Sequence, residues 1–322
     1  LNSIEHMFFD METGGFSLDV SSLHFYDPAT AHRGKVSFQQ IFERFLAGVD
    51  DVPVLRRKLV TVPLGADHPY WIDDPDFDLA NHLEHIELHG EGSWDDLMAV
   101  TAGLFSRDIS RDKPLWFGAI ITGINVEGLP DNCYAMFLKM HHAAIDGASG
   151  RAIQEAVHDV KPNTRRKSSA AQRATWGEKE IPSRLSLLAK AYPNNLRKAV
   201  RATGALLKAV PGVASDVLEE VRNGEGDDGD SGSAFDLPET VLNPVDPGAG
   251  LRIDGRLFPL ADIKAMRKLM PGATVNDVVF AIVAGGMARY LEAEGEVPDE
   301  PLTAGMPMDV RDETDVDATV MV

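Results

Sequence analysis

The stretch that most constrains this fold runs from Cys133 to Gly150: Cys-Tyr-Ala-Met-Phe-Leu-Lys-Met-His-His-Ala-Ala-Ile-Asp-Gly-Ala-Ser-Gly. Tyr134 to Met140 is nearly all apolar and too short for a buried helix, so it predicts a strand covered on both faces. Beyond a loop, Ile153, Ala156, Val157 and Val160 recur at helical spacing until Pro162 stops the run. His141, His142, Asp146 and Gly147 therefore fall between a buried strand and a helix. Loops placed in that way are where an α/β enzyme carries its chemistry.

Imidazole, with an unperturbed pKa of about 6.5, can take up a proton near neutral pH, which suits His142 to general base work. A base must also be aimed, and a tight loop containing Asp146 and Gly147 can hold one ring nitrogen while the other faces a substrate. Two other readings stand beside this one. Adjacent histidines are also what a satisfied buried pair looks like, and His and Asp four residues apart can ligate a metal from one helical face. Two histidines, an aspartate and a glycine together weigh towards function. The glycine after Asp146 favours a turn over a continuous helix, and a single cysteine, Cys133, supplies no ligand cluster, so no metal is expected.

His141-His142-Ala-Ala-Ile-Asp146-Gly147 has the form His-His-x-x-x-Asp-Gly, which resembles the active-site motif of the CoA-dependent acyltransferase superfamily, shared with peptide synthetase condensation domains. Three further stretches narrow the resemblance: Pro114-Leu115-Trp116, Asn276-Asp277-Val278-Val279, and His68-Pro-Tyr-Trp71 through Phe77-Asp-Leu79. In this order, along the whole chain, they are similar to the bacterial bifunctional wax ester synthase/acyl-CoA:diacylglycerol acyltransferases. The resemblance implies a mixed α/β fold (α/β or α+β) of two chloramphenicol-acetyltransferase-like halves with a tunnel between them. It implies transfer of a long-chain acyl group from acyl-CoA to a fatty alcohol or diacylglycerol, with His142 as general base. His141 would support the loop or tune His142, Asp146 would orient the base, and Gly147 would let the backbone turn. Pro114, Leu115 and Trp116 would lie near the substrate channel, although the residues alone make Trp116 a core aromatic. Acyl-CoA is then a substrate, and no separate cofactor is implied.

Composition bounds the remaining choices. A chain of 322 residues with 44% hydrophobic content is long enough for two core-forming units. One cysteine excludes a disulfide framework and suits a reducing cytoplasm. No basic n-region followed by an apolar run is expected at the start, and no apolar run approaches the roughly 18 residues of a membrane span. Water-insoluble substrates make a peripheral place at an inner membrane or lipid droplet the further expectation. A formal charge of -19 argues against nucleic acid as a partner, since phosphate binding needs clustered Lys and Arg. Basic residues do gather between Lys161 and Lys208, where only Glu178 and Glu180 oppose them. An exposed linker and a solvated helix face explain most of these, with Arg165, Arg166 and Lys167 placed to approach CoA phosphates or an anionic lipid surface.

Read in order, the chain predicts a short helix over Leu1–Met11, a strand over Val20–Tyr26, and a helix presenting Phe38, Ile41, Phe42, Phe45, Leu46 and Val49 on one face. Strands follow at Arg56–Val62 and Tyr70–Ile72. His82, His85 and His89 have no further ligands nearby and are set aside as a metal site. Ser93, with Asp96 three residues on, caps a helix carrying Leu97, Val100, Leu104 and Phe105, and Trp116 enters a strand through Ile121. The polar run Lys161–Gly177 and the acidic loop Gly224–Ser233 mark boundaries. A helical region with Leu185, Leu188, Leu196, Val200, Leu206 and Val210 lies between them. The expected organisation is a first acyltransferase half at 1–160, a helical linker at 161–240 and the start of a second half at 241–322. Family members continue well beyond this point, so the second half is expected to be incomplete. In it, Arg256–Leu260 predicts a strand, Leu260–Leu269 a helix, and Leu302–Met308 the start of another strand. Thr274 with Asp277 caps a further helix. Asn276 and Asp277 then sit in its first turn, where free N–H groups favour an oxyanion or phosphate, unless both are only cap residues.

Overall fold

A computed structural model describes residues 9, 12, 18–145, 147–158, 182–183, 185–189, 191, 240–242 and 251–302. The chain forms two compact units, one of Leu1–Glu225 with Met308–Val322 and one of Gly226–Pro307. Of the helix expected at Leu1–Met11 only Phe9 is described, and it is helical; the runs at 161–177 and 224–233, the helical residues beyond 191 and the strand expected beyond Leu302 lie outside the described residues.

The first unit is built on a four-stranded sheet of β1 (Asp19–Tyr26), β4 (Leu83–Glu87), β5 (Trp116–Thr122) and β6 (Tyr134–His141), in the order β1-β6-β5-β4. β6 runs antiparallel to both β1 and β5, while β4 is parallel to β5. As the apolar run predicts, β6 is a central strand, buried from Ala135 to His141. Its side chains alternate. Met136, Leu138 and Met140 join Phe45, Leu55 and Trp116 in the main core, while Phe137, Lys139 and His141 share the other face. A second, two-stranded antiparallel sheet pairs β2 (Arg57–Val60) with β3 (Tyr70–Asp73).

Three helices pack with these strands in the described part of this unit, and residues 185–189 are helical as well. α1 (Phe38–Val49) begins at a capping box of Ser37 and Gln40, and its Phe45 and Val49 are buried. α2 (Trp94–Ser106) begins at the expected box of Ser93 and Asp96, and its Trp94 stacks on Phe25 of β1 with ring centroids 6.2 Å apart. α3 (Gly147–Val157) follows the histidine pair. α1 and α3 meet closely at Gly48, where a Cβ would stand 2.4 Å from the carbonyl oxygen of Ala156. Arg44, one turn earlier, donates to that oxygen at 2.6 Å and to the carbonyl of His158 at 2.7 Å, tying down the end of α3.

The second unit contributes α4 (Leu260–Arg267) and α5 (Val275–Glu294). α5 opens with the Thr274–Asp277 capping box and ends at Gly295 in the left-handed conformation, at φ 73°. Two sequence expectations need correction. Residues 251–259 form no strand: Pro259 has no N–H to give a ladder, and it caps the helix α4 that Leu260 opens. β4 was not expected, because Leu83-Glu-His-Ile-Glu carries two glutamates and no clean alternation; it exists because β5 offers it a parallel edge. No helix among the described residues is long and apolar enough to cross a membrane.

Candidate active site

β6 delivers the two histidines to its end, and their surroundings separate them at once. His141 closes the strand with 3% of its surface exposed. His142 is half-buried and opens a 3-10 turn, His142–Ala144, whose N-cap is His141 itself. The Nδ1 of His141 accepts from the amide of Ala143 at 3.0 Å, the service that Ser or Asp gives at other helix starts. An amide N–H can only donate, so Nδ1 carries no proton, and the neutral ring holds its proton on Nε2. That Nε2–H points at Oε1 of Glu12, 2.9 Å away. Both nitrogens of His141 are therefore engaged inside the protein.

Burial is the main influence on His141 and holds its pKa below the usual 6.5; Glu12 and Asp19 nearby push the other way without prevailing. Phe9 stacks on the ring with centroids 4.2 Å apart. The other oxygen of Glu12 pairs with Arg111, whose guanidinium lies over Phe9, 5.0 Å from the ring centre. Asp19, directly across β1 from His141, pairs with Lys139 at 3.0 Å, and both side chains are almost wholly buried. The Lys139 ammonium also donates to the carbonyls of Phe105 and Arg107 at the end of α2, at 2.7 and 2.9 Å. A lysine inside an apolar strand is thus satisfied three times over.

Among the described residues, ligand atoms of Glu12, Asp19 and His141 lie within 4.8 Å of one another, a spacing that could hold a metal ion. Two cations of the chain itself, Arg111 on Glu12 and Lys139 on Asp19, already balance those carboxylates. A divalent ion would have to displace them.

His142 is held through its backbone. Its N–H donates to the carbonyl of Leu18 at 2.9 Å, and its own carbonyl accepts from Ile145 at 3.2 Å. Asp146, expected to orient the base, lies outside the described residues. Gly147 begins α3, so a turn and then a new helix follow the histidines. The Pro114-Leu115-Trp116 segment is buried. Its Leu115 carbonyl accepts from the N–H of His141 at 3.0 Å, which ties the two motifs together through the backbone. Trp116 is a core residue: its Nε1–H donates to Leu55 at 2.7 Å, and its ring stacks on Phe45 and His82. Pro114 and Trp116 also line a cleft of about 260 Å³ with Lys113, Arg107 and Ser110; neither histidine of the pair lines it.

The three histidines set aside as metal ligands do part company. His82 is buried and donates from Nδ1 to the Trp116 carbonyl at 2.9 Å. His85 is exposed and bonds Thr122, and His89 is exposed. Asn276 and Asp277 belong to the second unit, where both are exposed in the first turn of α5. Asp277 accepts from the Thr274 amide at 2.6 Å, the geometry of a cap, and those bonds hold its carboxyl below the ordinary range. Glu12, Asp19, Lys139 and Arg111 were not picked out from the sequence. The usable signal was Lys139, since a lysine in a doubly covered strand demands a buried acid.

The sequence profile of the wax ester synthase/diacylglycerol acyltransferase catalytic domain matches residues 1–279. The chain belongs to this family. Two Mycobacterium tuberculosis relatives that carry the name of diacylglycerol O-acyltransferases are each 28% identical, one over 316 residues and 98% of this chain, the other over 327 residues and 96%. The chain spans 65% and 63% of their respective lengths. The wax ester synthase/diacylglycerol acyltransferase of Marinobacter aquaeolei VT8 shares the fold, with a TM-score of 0.56 at 21% identity over 94% of this chain and 63% of that one. The mixed α/β architecture expected from the motifs is the one this acyltransferase family uses.

Proposed function

We propose that this chain carries the catalytic machinery of an O-acyltransferase that moves a long-chain acyl group from acyl-CoA to a fatty alcohol or a diacylglycerol, with His142 as the general base. The observation that carries the reading is the division of labour between adjacent histidines. His141 spends both ring nitrogens on Ala143 and Glu12, so proton transfer falls to His142. His142 takes the proton from the acceptor hydroxyl as its oxygen attacks the thioester carbon. The tetrahedral oxyanion collapses, the carbon–sulfur bond breaks, and the imidazolium returns the proton to the leaving thiolate. The products are the ester and free CoA. Base catalysis of this kind contributes about 10²–10⁴-fold, and positioning of the two substrates and stabilisation of the oxyanion supply the rest.

CoA enters this scheme as a substrate, and the chemistry needs no separate cofactor. Acceptors that do not dissolve in water place the enzyme at a lipid surface on the cytoplasmic side, attached peripherally. The test is thiol release from palmitoyl-CoA, with and without hexadecanol or a diacylglycerol, by this chain and by His142→Ala. Acceptor-dependent release that drops at least about 10²-fold in a folded variant is the expected result. Near-normal turnover by His142→Ala overturns the mechanism, and release without acceptor points to a hydrolase instead.

A further inference from the structure

The turn that presents His142 is fastened at two points, and both lead back to one carboxylate. On one side, the Ala143 amide is held by Nδ1 of His141, whose Nε2–H is held by Oε1 of Glu12. On the other, the His142 amide is held by the carbonyl of Leu18, whose own N–H donates to the same Oε1 at 3.1 Å. The second oxygen of Glu12 is fixed by Arg111, and the Glu12 side chain is only 6% exposed. A carboxylate held from one side by a guanidinium has few places to go, and hydrogen bonds to a charged acceptor are roughly twice as strong as neutral ones. We propose that Glu12, 129 residues before the histidine it binds, is a positioning residue for the reaction. It fixes the ring of His141 and the peptide of Leu18 and so sets where the His142 imidazole stands. The inference rests on the general-base reading of His142 above. Glu12 meets no reacting atom in this scheme and acts only through its neighbours.

The experiment compares Glu12→Ala and Glu12→Gln with the unaltered chain in three measurements. These are thiol-release kinetics with palmitoyl-CoA and hexadecanol, thermal melting, and the ¹⁵N ring resonances of the histidines, assigned with single His→Gln variants. Glu12→Ala removes both anchors, and a base displaced by about 1 Å loses on the order of 10² in rate. The expected result is that fall in kcat with the KM for acyl-CoA unchanged. Glu12→Gln keeps an oxygen that accepts both bonds but loses the charge, so it regains most but not all of kcat. Wild-type kcat in both variants, or a rise in KM with kcat intact, overturns the proposal. Should Glu12→Ala fail to fold, Glu12→Gln decides alone: an intermediate kcat at unchanged KM upholds it and a wild-type kcat overturns it. Should the unaltered chain release no thiol, the acyltransferase reading fails by itself, and the ring resonances judge the positioning. His141 then must be protonated on Nε2 alone in the unaltered chain and lose that preference in Glu12→Ala, with the His142 ring resonances shifting as well; identical spectra overturn it.

Discussion

Replacing Lys139 with methionine removes one partner of a buried ion pair and leaves the shape of β6 nearly intact. Lys139 and Asp19 side chains are 5% and 6% exposed, so water cannot take over the lost charge. Breaking such a pair from one side typically costs about 3–5 kcal/mol, because the remaining ion stays buried. One oxygen of Asp19 already has no hydrogen-bond partner among the described residues, which places the expected cost in the upper part of that range. The carbonyls of Phe105 and Arg107 lose a donor too. With a urea m-value of roughly 2 kcal/mol/M, a cost of about 4–5 kcal/mol lowers the midpoint of the first unit's transition by about 2–2.5 M. The assay is urea unfolding followed by tryptophan fluorescence, since all four tryptophans but Trp176 lie in described parts of that unit. Replacing Asp19 with valine in the same chain removes the stranded charge and should restore part of the loss, the sign of a pair whose partners matter mainly to each other. A midpoint shift below about 0.5 M, with m unchanged, refutes the reasoning, because it means that the pair is solvated.

Gly48→Ala should destabilise by about 1–3 kcal/mol, although alanine is ordinarily the better helix former, because the added Cβ meets the Ala156 backbone at 2.4 Å and prises α1 from α3. A melting temperature equal to wild type would contradict that. Burial holds the pKa values of His24, His82 and His141 below 6.5, so in each case the unfolded chain takes up the proton first. Stability is therefore complete above about pH 6.5 and falls as the pH drops below it, towards the folded values. Melting temperatures measured between pH 7.5 and 5.5 should decline, and His82→Asn, which keeps a donor for the Trp116 carbonyl, should flatten the decline; a level wild-type curve refutes the sign.

What the sequence makes legible here is what neighbours along the chain decide. The six apolar positions from Phe38 to Val49 predict α1 with its bounds, since a stripe at helical spacing needs no knowledge of what covers it. Ser93 with Asp96 and Thr274 with Asp277 announce two helix starts because a capping box is closed within three residues. β4 escaped because its five residues become a strand only when β5 lies beside them, and Arg256–Leu260 misled because Pro259 inside it suits a helix start better than a ladder. The same rule divides the site. The His-His-x-x-x-Asp-Gly motif is local and was read at once, whereas Glu12 reaches His141 across 129 residues and has no signature of its own.

The two histidines cannot be told apart by their letters, and the strand tells them apart by parity. Successive side chains on β6 face opposite ways, so His141 inherits the face of Phe137 and Lys139, where Asp19 waits across the register with its charge already balanced. A ring on that face is buried, and burial sets its cost: it must be neutral, and both nitrogens must find partners. The Ala143 amide and Glu12 meet that demand, which leaves His141 with nothing to offer a substrate. His142 is one residue too late to belong to the strand. Its amide is pinned to Leu18 and its chain has turned, so its side chain is released from the sheet's alternation. A tandem pair at a strand end is therefore divided by the strand's parity: one ring is committed inside the protein, and the next is carried past the last ladder pair on a turn.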